Sequence, residues 1–268
     1  MTNPFKADVL VVKLSGKALT ADKALDALFA VLAGSAANAE RTRVVLVHGG
    51  GVEVDALMRG LDRPIDRIEG LRVSPDEDMP VIAGALAGTC SLKLRGAAQR
   101  AGLMPLGLCA TDAGIGRVVP ADPRLGRVGV IEPGDSAAKR RLQALLDAGF
   151  TPVISSVGMD AAGALWNINA DDAAVASAAL LGAPLIFLSD VPGVLDANKH
   201  LFEQLNEKQA ETLIAEGVIS GGMTVKVRAA FRAAAMTGKP VAAASVFDPM
   251  LPNKLASGQL PGTTFTLE

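Results

Sequence analysis

The sequence predicts an α/β protein, a three-layer αβα sandwich around a mainly parallel sheet, and three features lead there. Short apolar runs alternate with stretches of helical periodicity. The runs are apolar at successive positions, as in Val9-Leu10-Val11-Val12 and Val44-Val45-Leu46-Val47, so both faces of each strand expect cover. Glycine, proline or asparagine marks many of the junctions, which is the punctuation of strand–helix crossovers.

Taken in order, Val9–Leu14 is a buried strand ending in Lys13-Leu14-Ser15-Gly16, and Thr20 is expected to cap a helix with the apolar stripe Leu25, Leu28, Phe29 and Leu32. Val44–Val47 forms the next strand and stops in His48-Gly49-Gly50-Gly51, where a helix begins. Pro64–Val73 reads as a short hairpin. Ser74-Pro75-Asp76-Glu77 reads as a capping box for a helix running to about Gln99, with Gly102 after it. A strand at Met104–Cys109, a projecting hairpin around Pro120–Gly126, a helix at Ser136–Ala148 closed by Gly149 and a strand at Pro152–Val157 follow. Asn169 is expected to cap a helix of small residues, with Asp171 in its first turn. Leu185–Asp190 is a buried strand, Asn206 starts a helix to about Gly217, Gly221-Gly222 opens another, and late strands lie at Val241–Val246 and Thr264–Leu267.

Composition narrows the function classes. At 268 residues and 50% hydrophobic content the chain can bury one large α/β domain or two lobes. A formal charge of -2 without a basic cluster argues against nucleic acid as partner. Met1–Asp8 has no apolar signal core, and the longest uncharged run, Ala173–Ser189, is interrupted by Gly182 and Pro184, so no membrane span is expected and the protein is expected in the cytoplasm. Cys90 and Cys109 lack metal-ligand spacing, and His48 and His200 stand far apart, so no metal site is expected and the cysteines read as reduced core residues.

The chemistry concentrates at strand ends. Three successive glycines between a strand and a helix bring bare N–H groups to one point, where the helix dipole favours an anion; a tight turn without a ligand is the plainer alternative. The loop is no Walker motif, since Gly16-Lys17 is followed by Ala18, and no G-x-G-x-x-G follows a strand. Lys13, inside an apolar run, must reach solvent or meet an anion. Arg72 lies beside a helix start, where it could hold a carboxylate or simply face solvent. Asn167, two residues before the cap Asn169, lies on the same side of an extended segment and is not explained by capping. Asp190 ends a buried strand before a Pro-Gly turn, the position where open α/β sheets bind ligands. Lys226 lies in the first turns of a glycine-started helix, where a solvated lysine would be ordinary. Lysines, glycine-rich helix starts and no metal cluster suit phosphoryl transfer. No general base stands out, which fits an acceptor already ionised, such as a carboxylate with a pKa of about 4.3.

Six ordered motifs carry a resemblance: Lys13-Leu14-Ser15-Gly16, Val47-His48-Gly49-Gly50-Gly51, Gly70-Leu71-Arg72-Val73, Asn167-Ile168-Asn169-Ala170-Asp171, Leu188-Ser189-Asp190-Val191-Pro192-Gly193-Val194 and Gly222-Met223-Thr224-Val225-Lys226. Together they resemble the amino acid kinase family over nearly the whole chain, and most closely its short bacterial members that act on an acylated amino acid. The resemblance implies the carbamate kinase-like fold, with residues 1–183 binding the acceptor and mediating dimerisation and residues 184–268 binding ATP. It implies ATP-dependent phosphorylation of the side-chain carboxylate of N-acetyl-L-glutamate in arginine biosynthesis, with Mg2+ carried by the ATP phosphates and no protein metal ligand. Lys13 and Lys226 would stabilise the transferring phosphoryl group, with Asp171 orienting both. Gly49 and Gly50 would offer amides to the acceptor, Gly16 would lie near the phosphates, and Arg72 and Asn167, with Asn169, would hold the substrate. Asp190, Val191, Pro192, Gly193, Val194 and Leu195, with Val218, Ile219 and Ser220, would line the nucleotide pocket. A sibling acting on glutamate, carbamate or an aminoadipate derivative, and a non-catalytic nucleotide-binding protein, are the competing classes.

Ser15 stands where the family more often has a second glycine, and the region Arg117–Val130 matches only loosely. Few residues precede the first strand, whereas arginine-inhibited relatives carry an additional N-terminal helix used to build a hexamer. The expectation is an arginine-insensitive homodimer.

Overall fold

The computed structural model describes residues 7–34, 42–196, 198–257, 259 and 261–267; the first six residues, on which the signal-peptide argument partly rests, lie outside them. Strand β1 (Val9–Leu14) is buried throughout. Val9 and Val11 enter one core and Leu10, Val12 and Leu14 the other, which is why the run is continuously apolar. By the two-residue period Lys13 shares the Val9 and Val11 face. Helix α1 (Asp22–Gly34) covers the opposite face with Leu25, Leu28, Phe29 and Leu32. Thr20 does not cap it: its hydroxyl donates to the Lys17 carbonyl inside a preceding 3-10 turn, and the Ala21 carbonyl accepts the first bond from Leu25 N–H.

Strand β2 (Arg43–His48) runs parallel to β1, and α2 (Gly51–Gly60) starts directly after it with Gly50 as N-cap. The predicted hairpin is β3 (Arg67–Ile68) and β4 (Leu71–Arg72). The capping box at Ser74 is absent. The Ser74 hydroxyl donates to the Arg72 carbonyl and accepts from Asn167, so it is not free to cap. Helix entry instead passes Pro75 into a 3-10 turn, α3 (Met79–Ala83), a π-helical stretch Gly84–Cys90 and α4 (Ser91–Arg100).

Strand β5 (Pro105–Cys109) is followed by the expected antiparallel pair β6 (Gly116–Pro120) and β7 (Val128–Pro133), then α5 (Ser136–Asp147) and β8 (Thr151–Ser155). Two short strands that the sequence analysis does not anticipate, β9 (Val157–Met159) and β10 (Leu165–Ile168), join that pair in a four-stranded sheet ordered β6-β7-β10-β9. Helix α6 (Ala170–Leu181) is capped by Asn169, whose side chain accepts from Asp171 N–H, and ends at the left-handed Gly182. Then come β11 (Leu185–Ser189), β12 (Gln204–Asn206), α7 (Glu207–Ala215), α8 (Gly222–Thr237), β13 (Val241–Ser245), α9 (Leu251–Ser257) and β14 (Thr263–Thr266). A capping box does form at Asn206 and Gln209, at the start of α7.

The main sheet has the order β12-β14-β13-β11-β1-β2-β8-β5, parallel except between β13 and β14. Helices α5, α6 and α8 bury one face, and α1, α4 and α9 the other. This is the predicted mainly parallel α/β sandwich. The carboxyl ends of β11, β1, β2 and β8 therefore lie side by side, and the site forms at that edge.

Candidate active site

Lys13 is brought to its partner by register. It faces α6, whose first turn carries Asp171, and the Lys13 Nζ to Asp171 Oδ1 distance is 2.6 Å. Both side chains are only about a tenth exposed, at 10% and 13%, so water screens the pair weakly. Helix α8 packs on α6 and delivers Lys226, whose ammonium donates to Ser189 Oγ at the end of β11, 2.9 Å away. Burial, and then the Lys13 ammonium nearby, lower the Lys226 pKa from the usual lysine range, while Asp171 and Asp190 oppose the shift. The two lysines thus share one electrostatic neighbourhood around Asp171. Lys17, from the loop after β1, pairs with Asp190 at 2.7 Å, and that hydrogen bond holds the Asp190 carboxyl below its ordinary range.

A cavity of about 250 Å3 opens beside this cluster, lined by Lys13, Gly16, Gly49, Gly50, Arg72, Asn167 and Asn169 among others. Two larger cavities, of about 1070 and 660 Å3, contain none of the predicted site residues. The candidate site is therefore chosen by its chemistry and not by its size. Of its glycines Gly50 is required sterically, and Gly49 and Gly16 are tightly enclosed. A Cβ on Gly50 would stand 2.4 Å from Cys90 Sγ, one on Gly49 3.2 Å from Ala170 Cβ, and one on Gly16 3.3 Å from Gly51 N. Ser15 turns its oxygen inward, accepting from Ala18 N–H at 3.3 Å, so it holds the turn after β1.

Arg72 is 7% exposed, which excludes a solvent-facing arginine. Asp55 on α2 pairs with it, with Arg67 bonding the same carboxylate at 3.0 Å. Burial raises the Asp55 pKa, but the two guanidinium groups outweigh it and hold the carboxyl below its usual value. One guanidinium nitrogen of Arg72, Nη1, is buried with no partner among the described residues. Ser74 ties Arg72 and Asn167 together, because its hydroxyl donates to the Arg72 carbonyl at 3.2 Å and accepts from Asn167 Nδ2 at 3.0 Å.

The remaining predicted residues lie outside this cavity. Val191–Leu195 forms the loop after β11, in which Gly193 has φ of +149° and a Cβ there would meet Thr263 Oγ1 at 2.5 Å. Val194 and Ile219 are packed into the core, Val218 is half-buried, Ser220 is exposed ahead of α8, and Leu195 bridges Leu201. Asp55, Ser74, Ser189 and Lys17 were missed by the sequence analysis. Asp55 carries a faint signal, one helical turn after Gly51, whereas Ser74 was read as a cap.

Ammonium groups and glycine-rich turns gather at the strand ends of an open α/β sheet, with a carboxylate paired to one ammonium group and within the field of the other, an arrangement suited to the chemistry of a phosphotransferase. Residues 8–244 match the model of the amino acid kinase family, and the chain belongs to that family. It is 47% identical over 265 residues to the acetylglutamate kinase of Vibrio vulnificus strain YJ016, covering 99% of each chain. Among solved structures, smu.665 from Streptococcus mutans UA159 matches with a TM-score of 0.80 at 26% identity, over 97% of this chain and 99% of that one. Giardia carbamate kinase shares the fold, with a TM-score of 0.69 at 17% identity over 97% and 99%.

Proposed function

We propose that the chain transfers the γ-phosphoryl group of ATP to the side-chain carboxylate of N-acetyl-L-glutamate, giving the acyl phosphate and ADP, in arginine biosynthesis. The full-length similarity to enzymes named acetylglutamate kinase supports the substrate pair. The observation that carries the chemistry is the Lys13–Asp171–Lys226 cluster against a glycine-lined cavity with a buried arginine at its wall. A carboxylate oxygen attacks the γ-phosphorus, the new O–P bond forms as the bond to the bridging oxygen breaks, and that electron pair leaves with ADP. No proton is abstracted, because the acceptor is already ionised. Lys13 and Lys226 neutralise charge on the transferring group, Asp171 holds them on it, and the Gly49 and Gly50 amides complete the cradle. Arg72, Asn167 and Asn169 hold the acceptor, Gly16 lies near the phosphates, and Asp190–Leu195 with Val218–Ser220 frame the nucleotide.

Mg2+ supplies further charge neutralisation and would arrive on the ATP phosphates. Asp171 and Asp190 each already face an ammonium group, so the cleft's carboxylates fit a metal brought by the nucleotide. In this reading residues 1–183 serve the acceptor and 184–268 the nucleotide, the protein works in the cytoplasm, and it is a homodimer. Leu92, 60% exposed beside Gly88 and Gly96, whose outer faces are open, offers a surface for a second copy. ADP release measured against acetylglutamate, glutamate, carbamate and aminoadipate tests the acceptor: preference for any but the first overturns it. Light scattering tests the dimer.

A further inference from the structure

We propose that His48 is a positioning residue for this reaction: by donating from Nδ1 to the Gly49 carbonyl, it holds the Gly49–Gly50 peptide with the Gly50 N–H turned toward the cavity. The proposal rests on the phosphoryl-transfer reading, which makes that amide part of the cradle.

The last residue of β2 shares the Val44 and Leu46 face by the two-residue period, the face opposite Lys13. The ring has no exposed surface, and Nδ1 lies 2.9 Å from the Gly49 oxygen. A carbonyl can only accept, so Nδ1 carries the proton. In a planar trans peptide the C=O and N–H point in opposite directions, so anchoring the oxygen to the ring sends the Gly50 N–H away from it. Upstream, Ser156 N–H bonds the His48 carbonyl at 3.1 Å, so the preceding His48–Gly49 peptide is anchored as well. Downstream, the Gly50 carbonyl accepts the first bond of α2 from Val54 N–H. Among the described residues the Gly50 N–H itself donates to no protein acceptor, and Gly50 lines the cavity.

Packing alone does not account for a histidine here. Its second nitrogen, Nε2, is buried with no partner among the described residues, a cost that an apolar ring of the same size would avoid. Burial drives the pKa down to about 4, only partly offset by the Gly49 bond, and the nearby Arg95 charge lowers it further. The neutral ring holds a single proton, and that proton is committed to Gly49.

The test compares His48→Asn with His48→Gln. The asparagine amide nitrogen falls near the position of Nδ1, and the glutamine amide near that of Nε2. His48→Gln should lower kcat at least about 10-fold with both KM values within about 3-fold, whereas His48→Asn should keep kcat within about 3-fold of wild type. Equal kcat values for the two variants, or a loss confined to KM, overturn the proposal. Wild-type turnover in the same assay is the control for the reaction itself: its absence sinks the functional reading and not the geometry. A second measurement needs no variant. The chain contains two histidines, and long-range proton–nitrogen NMR of the wild-type imidazoles should show one buried ring protonated at Nδ1. A buried ring protonated at Nε2 overturns the proposal.

Discussion

Replacing Asp171 by Asn removes, at nearly constant volume, one negative charge that is paired with Lys13 and acts electrostatically on Lys226. Lys13 Nζ lies 2.6 Å from Oδ1, in surroundings about nine-tenths closed to solvent. Unit charges about 4 Å apart interact by about 4 kcal/mol at an effective dielectric constant of about 20. Removing one partner of a buried pair costs about 3–5 kcal/mol. Asparagine can still accept a hydrogen bond from Lys13, so the lower end applies, about 3 kcal/mol, or about 6–12 °C in melting temperature for a chain of this size. Turnover should fall about 100-fold or more, because the lysines are no longer held over one phosphoryl group. The variant also has a signature in pH. Asp171 opposes the lowering of the Lys226 pKa, so without it the alkaline limb of the rate, where Lys226 loses its proton, moves to lower pH. Coupled ADP release across pH 7–10, with thermal melts, measures all three effects. A kcat within threefold of wild type and an unmoved alkaline limb would refute the shared-charge argument.

Arg72→Lys keeps the charge but loses the planar fork, so the acceptor KM should rise about 10–100-fold with the ATP KM unchanged; an unchanged acceptor KM argues against acceptor binding at Arg72. Gly50→Ala drives a methyl into Cys90 Sγ and should destabilise by about 1–3 kcal/mol in urea unfolding, with Cys90→Ala recovering part of the loss in the double variant; additive effects would refute the clash. The His48 ring binds a proton in the unfolded chain below about 6.5 but in the folded chain only below about 4. Its contribution is therefore fully present above pH 6.5 and declines as pH falls toward 4, by roughly 3 kcal/mol. Urea unfolding of wild type should show a steeper loss over that window than His48→Asn, and parallel curves would contradict it.

Local chemistry was legible wherever one residue type has one economical explanation. Asn169 caps α6 as expected, because its short side chain reaches the second amide of the helix and, among the described residues, no other donor takes that oxygen. Ser74 has the same capping chemistry in its sequence context, yet its hydroxyl is taken by Arg72 and Asn167, the latter 93 residues away. Thr20 was misread for a related reason, its hydroxyl being satisfied one turn earlier. Strands β9 and β10 lack a strand signal because they are short, three and four residues, and although they pair with each other they are fixed in place by the parallel pairing of β10 with the distant β7.

The amino-acid sequence by itself determined the class of sheet, the glycine breaks at its strand ends and the residue types available there, since these follow from periodicity and backbone freedom within a few residues. Only the tertiary structure decided that Lys13 meets Asp171, that Lys226 reaches Ser189 beside them, and that Arg72 is buried against Asp55. Those encounters depend on strand register and on the packing of α8 against α6. Burial then sets how strongly each charge acts, and no stretch of sequence carries that information alone.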